Sequence, residues 1–298
     1  MPLPPTLDPV VLTALHDLEL VARATVDGTL SGLHNSPFHG YSAEFSQYRP
    51  YRPGDDLKYV DWKLFARTDR LYTKQFRETT NVAVHIVLDA SRSMAFAGEN
   101  GVTKIAYGRV LAAALAHLTA GQGDAVGLVV HDDAIRHYLP GRTGQTHLRG
   151  VLTALSKADA SRGTAAAASL RRAIDLMPRR GLLLIISDLY EDGEAFEGEL
   201  RRAVRIGHDV ALFQVLTREE LEFPYARDVE LEDLETGRTL LTGAAAQAYY
   251  RREFADFLER WHARCAKYRI DYTRIMTDQP LDAALCGYLI RRAGGHPS

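Results

Sequence analysis

The sequence predicts an α/β protein: a doubly wound, mostly parallel sheet preceded by an N-terminal helix and a loop-and-strand elaboration. Two observations carry that expectation. Residues 82–88 (VAVHIVL) and 182–186 (LLLII) are short apolar runs without polar alternation, as strands covered on both faces should be. From residue 81 onward, such runs take turns with longer stretches of helical apolar spacing, the rhythm that gives a parallel sheet with helices on both sides. The chain is therefore divided into residues 1–80, packed as helix and elaboration on the core, and residues 81–298, the core itself.

Residues 7–25 open with Val11, Leu15, Leu18 and Ala22 on one helical stripe. Thr6 or Asp8 suits the cap, and Pro9 suits the first turn. Residues 28–80 are crowded with Gly, Pro, His, Tyr and charges; PGDD at 53–56 marks a turn and 71–77 alternates as a strand. The core then reads as strands at 82–88, 124–130, 134–139, 182–186, 209–216 and 269–276. Helices are expected at 103–119, 146–155, 165–177, 195–206, 247–266 and 281–290. At 229–241 two alternating runs flank Glu-Thr-Gly-Arg, which predicts an inserted hairpin.

Composition narrows the function classes. A net charge of −2 with interspersed signs gives no reason to expect nucleic acid or an anionic membrane as partner. Cys265 and Cys286 form no CxxC pair, so neither a zinc site nor a disulfide framework is expected; both suit apolar helix faces. The first residues lack a basic leader and are interrupted by Asp8, His16, Asp17 and Glu19, unlike a signal peptide. No apolar stretch approaches the roughly 20 residues of a membrane span. A soluble, cytoplasmic protein is expected. The Walker and Gly-x-Gly-x-x-Gly phosphate loops are absent, and Ser91 lacks the Gly-x-Ser-x-Gly setting of a nucleophile. Asp89 lacks the second Asp, two residues on, of a phosphoaspartate phosphatase.

The candidate site lies at the end of the first core strand. There the polarity switches to Asp89, Ser91 and Ser93, three oxygen-bearing side chains at alternate positions. Ligands of open α/β sheets sit just beyond the carboxyl ends of the strands. A carboxylate and two hydroxyls are hard donors, suited to Mg²⁺ or Mn²⁺. Arg162-Gly163-Thr164 before a helix and Ser187-Asp188 after the second buried run belong at the same edge. Each has a plainer reading: Asp, Ser and Thr cap helices, and Asp188 reads equally as the end of a strand, with Glu191 and Asp192 a solvated face. Asp55, Asp56 and Asp61 suggest a two-carboxylate hydrolase, but a turn paired with Arg49, Arg52 and Arg67, with Trp62 and Phe65 packing, explains them better. His34 and His39 lack a third ligand, His131 reads as a strand-end residue, and Arg179-Arg180 and Arg201-Arg202 are too sparse for a nucleic-acid stripe.

Asp-x-Ser-x-Ser at 89–93, Gly163-Thr164 opening a helix, and Asp188 after a hydrophobic strand together resemble the von Willebrand factor A-type domain. Upstream, GYSAEF at 40–45, Arg49-Pro50-Tyr51, PGDD at 53–56 and Asp61-Trp62-Lys63 resemble the bacterial family called domain of unknown function 58, in which such motifs precede an A-type domain. The resemblance covers residues 32–215. It implies a Rossmann-type fold with a metal-ion-dependent adhesion site. Ser91, Ser93 and Thr164 would be its hydroxyl ligands, and Asp89 and Asp188 would bind directly or through water. It further implies Mg²⁺ or Mn²⁺ as the ion and a protein partner offering an Asp or Glu carboxylate. A functional link to a MoxR-type AAA+ ATPase, in assembling or remodelling a protein complex, is also implied. The alternative is a metal-assisted hydrolase using Mg²⁺-bound water, with Asp188, Asp132 or an acid of 55–61 as base.

Overall fold

In the computed structural model, the described residues are 8–14, 17–32, 45–50, 62–68, 70–76, 83–160, 163, 165–177, 180–190, 193–224, 229–232, 239–242 and 244–293. Two helices, α1 (Pro9–Ala14) and α2 (Leu18–Gly32), come first. They are followed by β1 (Phe45–Pro50), α3 (Trp62–Thr68) and β2 (Tyr72–Phe76). The core begins with β3 (Ala83–Asp89), α4 (Lys104–Gly121), β4 (Ala125–His131), β5 (Ile135–Arg142), α5 (Gln145–Ser156) and α6 (Ala166–Leu176). It continues through β6 (Gly181–Ser187), α7 (Glu194–Arg205), β7 (Asp209–Leu216) and the short α8 (Arg218–Glu222). The hairpin β8 (Val229–Glu232) and β9 (Thr239–Thr242) precedes α9 (Ala244–Tyr268), β10 (Asp271–Met276) and α10 (Leu281–Ala293).

Six strands form the main sheet in the order β10-β7-β6-β3-β4-β5. Every neighbouring pair is parallel except β4 and β5. The unbroken apolar runs follow from burial on both faces. Val84, Ile86 and Leu88 of β3 enter one core with Leu182, Leu184 and Ile186 of β6. Val87 enters the opposite core with Leu183 and Ile185. Residues of α4, α5, α10 and the two N-terminal helices build the first core, and those of α6, α7 and α9 the second. This mixed α/β arrangement, a mostly parallel sheet flanked by helices, is compatible with a Rossmann-like fold.

The N-terminal helix differs from its expectation. It is two helices, each with its own cap: Asp8 Oδ1 accepts from Val10 N–H at 2.8 Å, and Asp17 Oδ1 from Leu20 N–H at 3.1 Å. The second cap resets the helical phase. Leu12, Val21, Ala22 and Val26 are buried, whereas Val11, expected on the stripe, is 57% exposed. Because α2 packs on the outer side of α4, α4 is covered on both sides, which explains an Ala-rich helix without a polar face. Gly108 lets it lie close to Leu88 and Ile186, directly beneath the candidate site.

Other differences are local. β1 pairs antiparallel with β2 in a sheet of its own, and neither β1 nor α3 was expected. Trp62 packs edge-on against Phe65, as the sequence suggests, while staying 56% exposed. The last strand starts at Asp271 rather than 269 because Arg269 adopts a left-handed conformation and Ile270 N–H closes α9 onto the Cys265 carbonyl. Cys265 is buried and Cys286 partly so, on α9 and α10. The hairpin at 229–241 is present as β8–β9, though its turn lies outside the described residues. So do His34, His39, Arg52, Asp55, Asp56, Asp61 and residues 40–44 of the upstream motifs. Among the described residues, no helix is long and apolar enough to cross a membrane.

Candidate functional site

The strand order places the site. From β3 the chain moves outward to β4 and β5, then returns to β6 on the other side of β3 and continues to β7 and β10. The order therefore reverses between β3 and β6, the crevice where doubly wound sheets bind ligands. Asp89 ends β3 and Ser187 ends β6.

A hydrogen bond spans that crevice: Ser187 Oγ donates to Asp89 Oδ2 at 2.6 Å. The other oxygen, Oδ1, accepts from Ser91 N–H at 2.8 Å, so the turn after β3 is built on the carboxylate. Ala90 N–H donates to the His131 carbonyl at the end of β4, and Met94 N–H to the Ser91 carbonyl. The chain thus enters a 3₁₀ turn, Arg92–Ala95, anchored by the fully buried Met94. This geometry leaves Ser91 Oγ and Ser93 Oγ 3.1 Å apart. Asp89, Ser91, Ser93 and Asp188 are all buried.

Burial holds the Asp89 carboxyl above the usual carboxylate range, and the Asp188 charge adds to the effect. His131 and the bonds from Ser187 and Ser91 pull the other way. A buried carboxylate beside another is a place where a cation is stabilising.

Asp188 is already matched. Its Oδ2 lies 2.8 Å from Lys104 Nζ, its Oδ1 accepts from Tyr190 N–H at 3.2 Å, and its backbone carbonyl accepts from Gln214. Lys104 is the first residue of α4 and has no exposed surface. Its ammonium also meets Glu220 Oε1 at 2.5 Å and sits 4.4 Å from the centroid of the Tyr190 ring. Burial by itself would lower the Lys104 pKa; the Asp188 and Glu220 charges outweigh it and hold the ammonium above its usual range. Glu220 is delivered by α8, where it closes a capping box with Thr217. Just before it in the same helix, Arg218 pairs with Asp278 at 2.6 Å, and Glu219 accepts from Glu99 N–H at 2.8 Å. One short helix thus ties down three loops at this edge.

Of the residues singled out in the sequence, Asp89 is joined to Ser91, and Ser91 to Ser93, by hydrogen bonds, and Asp188 follows Ser187 in the chain. Thr164 and Arg162 lie outside the described residues, as do Glu191 and Asp192; the neighbouring Ala165 N–H donates to the Asp132 carbonyl, just past β4. Asp132, a candidate base, is buried and receives Arg136 Nε at 2.7 Å on both oxygens. Burial would raise its pKa, but the Arg136 and Ala134 bonds hold it below the usual range. Asp132 and Asp188 are therefore both paired with cations. His131 is a buried strand-end residue, and Arg202 pairs with Asp175 and Glu199.

Three residues of the site were missed in the sequence. Ser187 stood beside Asp188 in a dipeptide valued only for its acid. Lys104 carried a signal: a cation opening an Ala-rich helix sits at the wrong end of the helix dipole. Glu220, one acid among several in REELE, carried none.

Among the described residues, no three His, Cys, Asp or Glu side chains are grouped to hold a metal ion. Any ion here would depend on hydroxyls, which in this structure hydrogen-bond to each other. Adjacent ligands of an octahedral Mg²⁺ with bonds of about 2.1 Å stand about 3.0 Å apart, and the two serine hydroxyls are 3.1 Å apart.

Comparison with known proteins adds the following. The family model described as "Protein of unknown function DUF58" matches residues 47–264. The uncharacterized proteins Rv1480 of Mycobacterium tuberculosis and Mb1516 of Mycobacterium bovis are each 33% identical over 241 residues, 77% of this chain and 73% of theirs. Among solved structures, the conserved hypothetical protein BatB from Bacteroides thetaiotaomicron matches 72% of this chain and 100% of its own at 17% identity and a TM-score of 0.48. An aerotolerance-related membrane protein from Bacteroides fragilis matches 70% of this chain and 99% of its own at 17% identity, with a TM-score of 0.47.

Proposed function

This chain belongs to the DUF58 family, and we propose that it is a divalent-cation-dependent protein-interaction module of von Willebrand factor A type. The observation that carries the reading is the pair of serine hydroxyls 3.1 Å apart beside the buried Asp89, at the strand-order reversal. Ser91 and Ser93 would hold Mg²⁺ or Mn²⁺ directly. Asp89, Thr164 and Asp188 would complete the set directly or through water. The ion, when bound, supplies a Lewis-acidic position open to a carboxylate oxygen. Asp89 contributes charge and fixes the serine turn through its bond from Ser91 N–H. Ser187 holds Asp89 in place from the neighbouring strand.

The partner would present an Asp or Glu side chain to that position. A MoxR-type AAA+ ATPase, in assembly or remodelling of a protein complex, is the partner class that the family resemblance suggests. Hydrolysis is the weaker reading, because the two buried candidate bases, Asp132 and Asp188, are already ion-paired.

Calorimetric titration with Mg²⁺ and Mn²⁺ tests the site, and capture from native lysate with Mg²⁺ or chelator tests its use. The wild type should bind either ion, Asp89→Ala should not, and a captured protein should be released by chelator. A wild type that takes up neither ion, or an Asp89→Ala variant that binds as well as wild type, would overturn the reading.

A further inference from the structure

We infer that Lys104 is the specificity-determining residue of this site, a built-in ammonium that neutralises Asp188 and Glu220 and leaves the cation with Asp89, which is held by the neutral donors Ser187 Oγ and Ser91 N–H, as its source of charge. The inference rests on the metal-site reading and extends it to how tightly, and with what charge, the site binds.

The position of Lys104 is costly. A cation at the first position of a helix opposes the dipole, and a fully buried one loses its hydration. An apolar side chain would fill the same place without either cost. Two carboxylates from distant parts of the chain and an aromatic ring converge to hold the ammonium instead. Both carboxylates are fully used. Asp188 is bonded at Oδ1 and Oδ2, and Glu220 takes Lys104 and the Tyr190 hydroxyl on Oε1 and Thr217 N–H on Oε2. With Lys104 in place, the Asp188 charge is spent on the ammonium, and Asp188 reaches the ion through water rather than directly.

The charges then close. Asp89, Asp188 and Glu220 contribute three negative charges and Lys104 one positive, leaving two negative charges for a divalent cation to neutralise. Removing the ammonium leaves three and frees Asp188 to ligate. Removing the Glu220 charge leaves one. The two substitutions therefore push ion affinity in opposite directions, although neither residue is a proposed ligand.

The test is Mn²⁺ titration of the purified full chain, followed by calorimetry and by the Mn²⁺ paramagnetic signal, with Tb³⁺ as a trivalent probe read by tyrosine-sensitised luminescence. Lys104→Met should bind Mn²⁺ at least about tenfold more tightly than wild type, and gain more for Tb³⁺. Glu220→Gln should bind Mn²⁺ several-fold more weakly, and Lys104→Arg should behave as wild type. If Lys104→Met does not fold, the weakening in Glu220→Gln carries the test. Wild-type binding unchanged in both Lys104→Met and Glu220→Gln would overturn the role of Lys104 while leaving the metal site standing. A silent wild type beside a Lys104→Met variant that binds Mn²⁺ would support Lys104 as the controlling charge and overturn the wild-type metal site. Silence in both would overturn both.

Discussion

Ser187, the last residue of β6, donates its hydroxyl to Asp89, the last residue of β3, at 2.6 Å. Their strands are neighbours in space but 98 residues apart in sequence. The same hydroxyl accepts from Leu189 N–H at 2.9 Å, so one serine fixes the carboxylate and the turn that leads to Asp188.

Ser187→Ala should therefore destabilise the fold by about 1–3 kcal/mol, the cost of leaving a buried acceptor unpaired. Urea unfolding of the metal-free protein measures it. Ser187→Thr, which keeps the hydroxyl, should recover part of the loss.

Asp89→Asn should do the reverse. The carboxyl is buried and its pKa is raised, so the group destabilises the ion-free fold as pH rises from the unfolded value of 3.8 through the folded one. A neutral isostere removes that penalty. The variant should unfold at higher temperature than wild type at pH 7 without added ion, and should lose the stabilisation that Mn²⁺ gives the wild type. Thermal scans with and without Mn²⁺ read both effects.

Lys104→Met should cost the ion-free protein about 3–5 kcal/mol, because the buried Asp188 and the partly buried Glu220 would be left without their cation. Added Mn²⁺ should restore part of the loss, and should raise the melting temperature of the variant more than that of wild type.

His85 sets an acid limit at the other end of β3. It is 2% exposed and lies against Gly127 and Gly141, where added Cβ atoms would approach its ring. Burial, with the nearby His208, lowers its pKa to about 4. Above the unfolded value of 6.5 the ring is neutral in both states and costs nothing. As pH falls below 6.5 only the unfolded chain gains the proton, and stability is lost progressively until about pH 4, by roughly 3 kcal/mol in all. Denaturant unfolding between pH 7 and 4.5 should show this slope in wild type and a shallower one in His85→Gln.

The sheet was legible because burial on both faces writes itself into uninterrupted runs such as 182–186, and strand 209–216 was bounded without error. The trio Asp89, Ser91 and Ser93 was legible because it is local: one turn, built on one carboxylate, within five residues. The phase of the first helix was not, since Asp17 caps a second helix where an apolar stripe suggested one. Nor was β1, whose PRY-rich surroundings and terminal Pro50 do not read as a strand. The clamp on Asp188 was hidden for a different reason. Lys104 meets Asp188 across 84 residues and Glu220 across 116, and no spacing within a segment encodes such a meeting.

The most direct measurement is anomalous diffraction at the manganese edge from crystals equilibrated with Mn²⁺. The expected result is one peak at coordinating distance from the hydroxyls of both Ser91 and Ser93, absent in Asp89→Ala. A peak elsewhere, or none at that turn under saturating Mn²⁺, would contradict a cation site at the end of β3.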